Sequence, residues 1–257
     1  MQNTTKKNTP PSKFGLKHFL LSALMLLSAS TAWADVTINE TNFPDENFRN
    51  WLLSQSYGSD GKLTGEEIAG VTSINVSSKS IQSLKGIEYF TELTTLYCSS
   101  NKLTALDVSK NTALTELNCG ANKLTSLDVS KNTALTYLVC YKNQLTSLDM
   151  SKNTALTGLH CYNNQLTSLD VSKNTKLWDL YCNRNQLTSL DVSKNTALTT
   201  LYCYSNQLTS LDVSKNTALT KLWCDNNQLA TLDVSKNTAL TVLYCNPSVT
   251  VTGWPKY

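Results

Sequence analysis

Cysteine returns every 21 residues along most of this chain, at Cys98, Cys119, Cys140, Cys161, Cys182, Cys203, Cys224 and Cys245, and these are all of its cysteines. Around each of the first seven the unit reads, with few substitutions, L-x-x-L-x-C-x-x-N-x-L-T-x-L-D-V-S-K-N-T-A. This short period restricts the fold more than any other feature, because one unit cannot bury its own apolar edge and copies must stack. In the copy beginning at Leu114, Leu117 and Cys119 stand two residues apart, which is strand alternation. Stacking then sets each strand beside its equivalent in the next coil, giving one parallel sheet with strands about 4.8 Å apart.

The L-x-x-L-x-C-x-x-N-x-L core resembles bacterial leucine-rich repeats, and Cys in place of a Leu at this period is similar to repeats of the internalin family. The resemblance covers about residues 71–250 and implies a solenoid of about nine coils. Its parallel sheet lies on the concave face, short extended or 3₁₀ segments form the convex face, and a small α-helical cap closes the N-terminal end. The first coil is degenerate: Val71, Ile74, Val76, Ile81 and Leu84 keep the apolar pattern, with no Cys and with Lys79 at the Asn position.

Register decides how the repeated polar residues are read. Equivalent cysteines on parallel strands point the same way, so their Cβ atoms do not converge as a disulfide requires. A ladder of reduced, buried thiols is expected, and ligands on parallel side chains would not surround a metal ion. The Asn ladder, from Asn101 and Asn122 to Asn227, is expected to turn inward and satisfy backbone groups where each coil bends after its strand. Asp128 and its equivalents recur at one position in seven coils, which points to a structural or solubilising role rather than catalysis.

Residues 1–34 are expected to leave before folding. Lys6, Lys7, Lys13 and Lys17 precede the apolar run FLLSALMLLSAS, and Ala32-Trp33-Ala34 carries small residues where a signal peptidase cleaves. The run is short of the roughly 20 residues that span a bilayer, and no second one follows, so an exported protein without a membrane span is expected. Without that segment 18 basic residues face 19 acidic ones, so bulk charge gives no support for nucleic-acid binding.

Residues 35–70 read as the cap. Phe48, Trp51 and Leu52 have helical spacing after Pro44-Asp45, and LTGEEIAG starts a second helix. SYGSDGKLTGEE aligns with an EF-hand loop at Gly61, Leu63 and Glu67, but Ser56 and Gly58 stand where the first two carboxylates belong. The internalin family carries a helical cap that looks like a truncated EF-hand, which fits this departure, and no cofactor is expected. Residues 247–257, NPSVTVTGWPKY without its first residue, depart from the repeat and close the last coil; no cell-wall sorting signal is seen there.

The constant half of each unit builds the coil, and the half that varies decorates its inner surface. The residues flanking the inward Leu and Cys project from the concave face. Between the second Leu and the Cys stand Tyr97, His160, Tyr181, Tyr202, Trp223 and Tyr244. Just past the Cys are Tyr141, Tyr162 and Tyr204; Tyr137 lies on the other flank, and Trp178 interrupts an almost constant Thr. Tyrosine suits strands, and stacking along a parallel face would by itself explain part of this enrichment. An aromatic band among scattered polar residues also has the composition of a recognition surface.

These eleven residues are the candidate ligand-binding set. A protein ligand, in adhesion or host interaction, is what the resemblance and the aromatic face imply; a glycan on the same face, or a structural spacer of the envelope, stays open. The protein is read as a monomer. Catalysis is not expected: His160 is the single His after residue 34, and no nucleophile elbow, phosphate loop or metal motif accompanies it.

Overall fold

The computed structural model describes residues 35–254. The expected signal segment and its cleavage point near Ala34 lie outside the described residues. Nine three-residue strands form one parallel sheet whose order follows the chain. Their central residues run in strict register from Ile74 and Leu96, through Leu117, Leu138, Leu159, Leu180 and Leu201, to Leu222 and Leu243. From Ile74 to Leu222 these residues are buried, as is the Cys two positions after Leu96 and each later one up to Cys224. The core is thus a stack of inward Leu and Cys side chains that continues through every coil.

All eight cysteines carry free thiols, and only Cys245, in the last coil, is partly exposed. Burial pushes the Cys119 and Cys161 thiols up to about 12, so they behave as small apolar groups.

Each coil bends directly after its strand through one residue in the left-handed region, at Ser100, Ala121, Lys142, Asn163, Arg184, Ser205 and Asn226, with φ between 48° and 57°. None is glycine. The next residue is the ladder Asn, and its amide does what the sequence pattern leads one to expect. Asn122 Nδ2 donates to Cys98 O and Cys119 O at 3.0 Å, and its Oδ1 accepts from Leu103 N at 3.0 Å. One side chain therefore bonds one backbone group of its own coil and two of the preceding coil.

A second asparagine ladder, not singled out from the sequence, runs through the outer half at Asn111, Asn132, Asn153, Asn174, Asn195, Asn216 and Asn237, all buried. Asn132 Nδ2 donates to Val108 O at 2.9 Å and Asn111 O at 2.8 Å. The Oδ1 atoms of this ladder have no hydrogen-bond partner.

The outer half buries Leu127 and Val129 around an exposed Asp128, the alternation of an extended stretch. Asp128 Oδ1 accepts from Ser130 N at 2.8 Å, and this bond holds its carboxyl below the usual range. Single i to i+3 turns follow, Asn132 N to Val129 O at 3.0 Å and Leu135 N to Asn132 O at 3.1 Å. A 3₁₀ helix forms at Ile87–Tyr89. Near the end, Thr250–Thr252 pairs in parallel with Thr231–Asp233 on the outer side.

In the cap, α1 (Glu46–Leu53) starts at Asp45, whose Oδ1 accepts from Phe48 N at 3.0 Å. The other oxygen of Asp45 accepts from Gln82 N at 2.7 Å and Ser83 N at 3.2 Å, so one carboxylate both caps the helix and joins it to the first coil. Phe43, Phe48 and Phe90 fill the junction, each fully buried. α2 (Gly65–Gly70) opens with a capping box between Thr64 and Glu67. Glu67, the final residue of the EF-hand-like loop, thus spends its carboxylate on Thr64, and Asp60 Oδ1 accepts from Lys62 N at 3.0 Å. Gly61 keeps the tight turn, with φ +84°, and Lys62–Leu63 pairs antiparallel with Val36–Thr37.

Candidate binding face on the concave sheet

A three-residue strand with its middle side chain inward must present its first and third residues on the other side. The residue after the inward Cys also faces out, so the concave surface carries three parallel rows, one residue per coil. In-register strands lie about 4.8 Å apart, close to the spacing at which aromatic rings stack. Rings at equivalent positions in consecutive coils therefore meet face to face.

The middle row does so over four coils. His160 and Tyr181 stack at 4.1 Å and 5°, Tyr181 and Tyr202 at 4.4 Å and 13°, Tyr202 and Trp223 at 4.9 Å and 21°. Tyr244 ends the column edge-on to Trp223 at 4.7 Å and is 55% exposed. In the row past the Cys, Tyr141 and Tyr162 stack at 4.8 Å and 6°, while Tyr204 leans on Trp223 at 5.8 Å beneath the Arg184 guanidinium. Two glycines make room: a Cβ on Gly120 would lie 2.4 Å from the Tyr141 ring, and one on Gly158 would lie 2.1 Å from the Tyr137 ring.

Tyr137 crosses Gly158 to reach the head of the column. Its hydroxyl is 3.0 Å from His160 Nε2 and donates to Asp179 Oδ2 at 3.3 Å; His160 Nε2 itself is 2.8 Å from Asp179 Oδ2. Asp179 is 5% exposed, and its Oδ2 meets two hydrogen-bonding partners, as a buried polar group requires. Burial, and then the Asp179 carboxylate, raise the Tyr137 hydroxyl well above the ordinary tyrosine range, and the same causes push Tyr181 up to about 12. A Tyr, a His and an Asp within hydrogen-bond reach invite comparison with a catalytic relay, but a relay uses both ring nitrogens, one for each partner. Here both partners meet Nε2, and the arrangement fixes the His160 ring rather than passing a proton through it.

The two remaining candidates stand apart. Tyr97 faces the same surface but bonds to Glu116 through its hydroxyl and stacks on no ring, since Asn118 and Val139 separate it from the column. Trp178 lies at the edge of the sheet, 45% exposed. The varying flanks that place the rings on this face also carry Glu116, Gly120, Gly158 and Asp179. What sequence reasoning missed is how these four bond to the rings or make room for them, because the flanks give a residue's side of the sheet and not its contacts.

Residues 91–132 and 196–237 match the family of leucine-rich repeats in two copies. Over 71 residues the chain is 46% identical to internalin J of Listeria monocytogenes serotype 4b (strain F2365), a match covering 27% of this chain and 8% of that protein. Among solved structures, the functional domain of InlJ from Listeria monocytogenes, which includes a cysteine ladder, is 31% identical over 86% of this chain and 62% of that one, with a TM-score of 0.44. The chain thus spans less than two thirds of the internalin J sequences it matches. Internalin C2 from the same organism is 21% identical over 85% of this chain and 97% of its own, with a TM-score of 0.67. A leucine-rich repeat protein of Leptospira interrogans is 24% identical over 74% and 52%, also at 0.67, and these last two likenesses show the fold. The chain thus carries leucine-rich repeats and has a leucine-rich repeat fold, and its cysteine-bearing 21-residue coil is similar to the repeats of internalin J.

Proposed function

We propose that the protein is exported and uses its concave aromatic face to bind another protein, in an adhesin-like or host-interaction role. On this reading residues 1–34 are a signal peptide, 35–70 a cap, 71–246 the binding solenoid and 247–257 its closing segment. The observation that carries it is the column from His160 to Tyr244, which places rigid rings side by side in the middle of the concave sheet. Tyr and Trp lose little conformational entropy on contact and dominate interface energetics. The covered indole Nε1 of Trp223 has no hydrogen-bond partner, a cost of about 1–3 kcal/mol. A face kept for architecture alone has no reason to retain it.

The geometry also favours protein over glycan. Sugar rings stack on open aromatic faces, but both faces of Tyr181 and Tyr202 are covered by neighbours, leaving edges and hydroxyls to a ligand. The test is a pull-down from a host cell-surface extract with the full chain and the Tyr181→Ala/Tyr202→Ala/Trp223→Ala variant, before and after enzymatic removal of glycans. A protein retained after deglycosylation and lost with the variant supports the reading. Loss on deglycosylation would transfer the face to glycan binding, and equal capture by both chains would make it architecture.

A further inference from the structure

The repeats contain their own control for the outer half of the coil. Six copies read Lys-Asn-Thr-Ala-Leu-Thr at the approach to the strand, and the copy at residues 173–178 reads Lys-Asn-Thr-Lys-Leu-Trp. Leu177 is fully buried, like its equivalents Leu156 and Leu198, so the core is unchanged and the departure alters only what meets solvent. Lys176 is exposed and Trp178 is 45% exposed.

Single exposed apolar residues are ordinary, but this one works against the coil that carries it. At the equivalent positions the Thr hydroxyl bonds back to the preceding coil, Thr157 Oγ1 to Thr136 O at 3.0 Å and Thr199 Oγ1 to Trp178 O at 3.0 Å. Trp178 has no hydroxyl, so Thr157 O forgoes that bond. The adjacent coils carry Ala155 and Thr157 on one side and Ala197 and Thr199 on the other, so the indole stands above small neighbours as a knob. Lys176 makes no ion pair among the described residues. The nearby Asp179 carboxylate is turned onto Tyr137 and His160 and does not offset it.

We propose that this rim is the anchoring edge of the binding surface: Trp178 enters an apolar pocket on an acidic protein partner whose carboxylates meet Lys176. The inference rests on the protein-binding reading of the concave face and extends the footprint over its edge. An exposed Trp beside an unpaired cation has the chemistry of an interface anchor, and no requirement of the fold calls for either residue.

Lys176→Ala/Trp178→Thr restores the sequence that six other copies already fold with, and its thermal midpoint should equal or exceed that of the parent. A displayed library of random peptides is selected on the full chain, and the enriched peptides are measured on the parent, the reverted chain and the concave triple variant. Enrichment of Asp or Glu together with large apolar residues, with binding weakened about tenfold or more on reversion, is the expected result. No enrichment, peptides without acidic bias, or binding unchanged by reversion would overturn it. Peptides lost only with the concave variant would leave the concave reading standing and remove the rim. Peptides lost only on reversion would keep the rim and remove the concave column.

Discussion

Two asparagine ladders run along the solenoid, and their truncation should not cost the same. Asn164 Oδ1 accepts from Leu145 N at 3.1 Å, and its Nδ2 donates to Cys140 O and Cys161 O at 3.0 Å. Those two carbonyls each accept from another ladder amide, Asn143 for Cys140 and Asn185 for Cys161. Asn164→Ala therefore leaves one group with nothing, the buried Leu145 N–H. An orphaned donor costs about 1–3 kcal/mol and each weakened carbonyl about 0.5–1 kcal/mol, which sums to about 3 kcal/mol.

Asn153, in the outer ladder, donates to Val129 O at 3.0 Å and Asn132 O at 2.8 Å, and both carbonyls keep a backbone donor when it is removed. Its truncation also deletes an Oδ1 that has no partner, so Asn153→Ala should cost about 1 kcal/mol. Both substitutions remove the same atoms from a buried site, and the cavity contribution largely cancels in the difference. Equilibrium urea denaturation followed by circular dichroism measures that difference, expected at about 2 kcal/mol with the inner ladder worse. Hydrogen exchange should also show the Leu145 amide losing protection in Asn164→Ala. If Asn153→Ala costs as much as Asn164→Ala, the accounting of backbone partners is wrong and residue volume is what the ladders supply.

Lys142 occupies the left-handed turn at φ 48°; Lys142→Gly should raise stability by about 0.5–1 kcal/mol, and Lys142→Val should lower it by more, in the same denaturation assay. The buried thiols of Cys119 and Cys161, pushed up from 9.0 to about 12, stay protonated where an unfolded chain releases them. Stability from this source is complete below the unfolded value and is lost as pH rises through that interval, so Cys161→Ala should flatten the alkaline fall in the urea midpoint. Gly158→Ala should push the Tyr137 ring off its bonds to His160 and Asp179 at a cost of about 1 kcal/mol. Ultraviolet titration should then show one tyrosine returning toward the ordinary range, and an unchanged titration would mean that Tyr137 is not held by this cluster.

Much of the fold could be read from the chain because a solenoid is nearly one-dimensional. Leu117 and Cys119 two apart, repeated at a fixed period, settle which side chains point inward, and stacking by the same period settles register. The inner Asn ladder, the thiol ladder and the helix after Asp45 follow from the same local reasoning. The outer ladder did not stand out, because in Ser-Lys-Asn-Thr-Ala every position recurs and repetition cannot distinguish a buried Asn from the exposed Lys beside it. The candidate face was legible as a composition of rings, and its organisation was not.

What the sequence by itself determined about this protein is the identity of the coil: its period, its inward residues, and the positions that are free to vary. Only the tertiary structure decided what those free positions do to one another. Tyr137, His160 and Asp179 are far apart along the chain, yet in-register strands of three consecutive coils bring them to within about 3 Å, over a glycine that makes room for a ring. The same register turns Tyr181, Tyr202 and Trp223 from scattered aromatics into a stacked column with its faces covered. Periodicity sets the spacing between neighbours, but contacts across that spacing depend on which side chains meet and how each one leans, and these are properties of the packed surface.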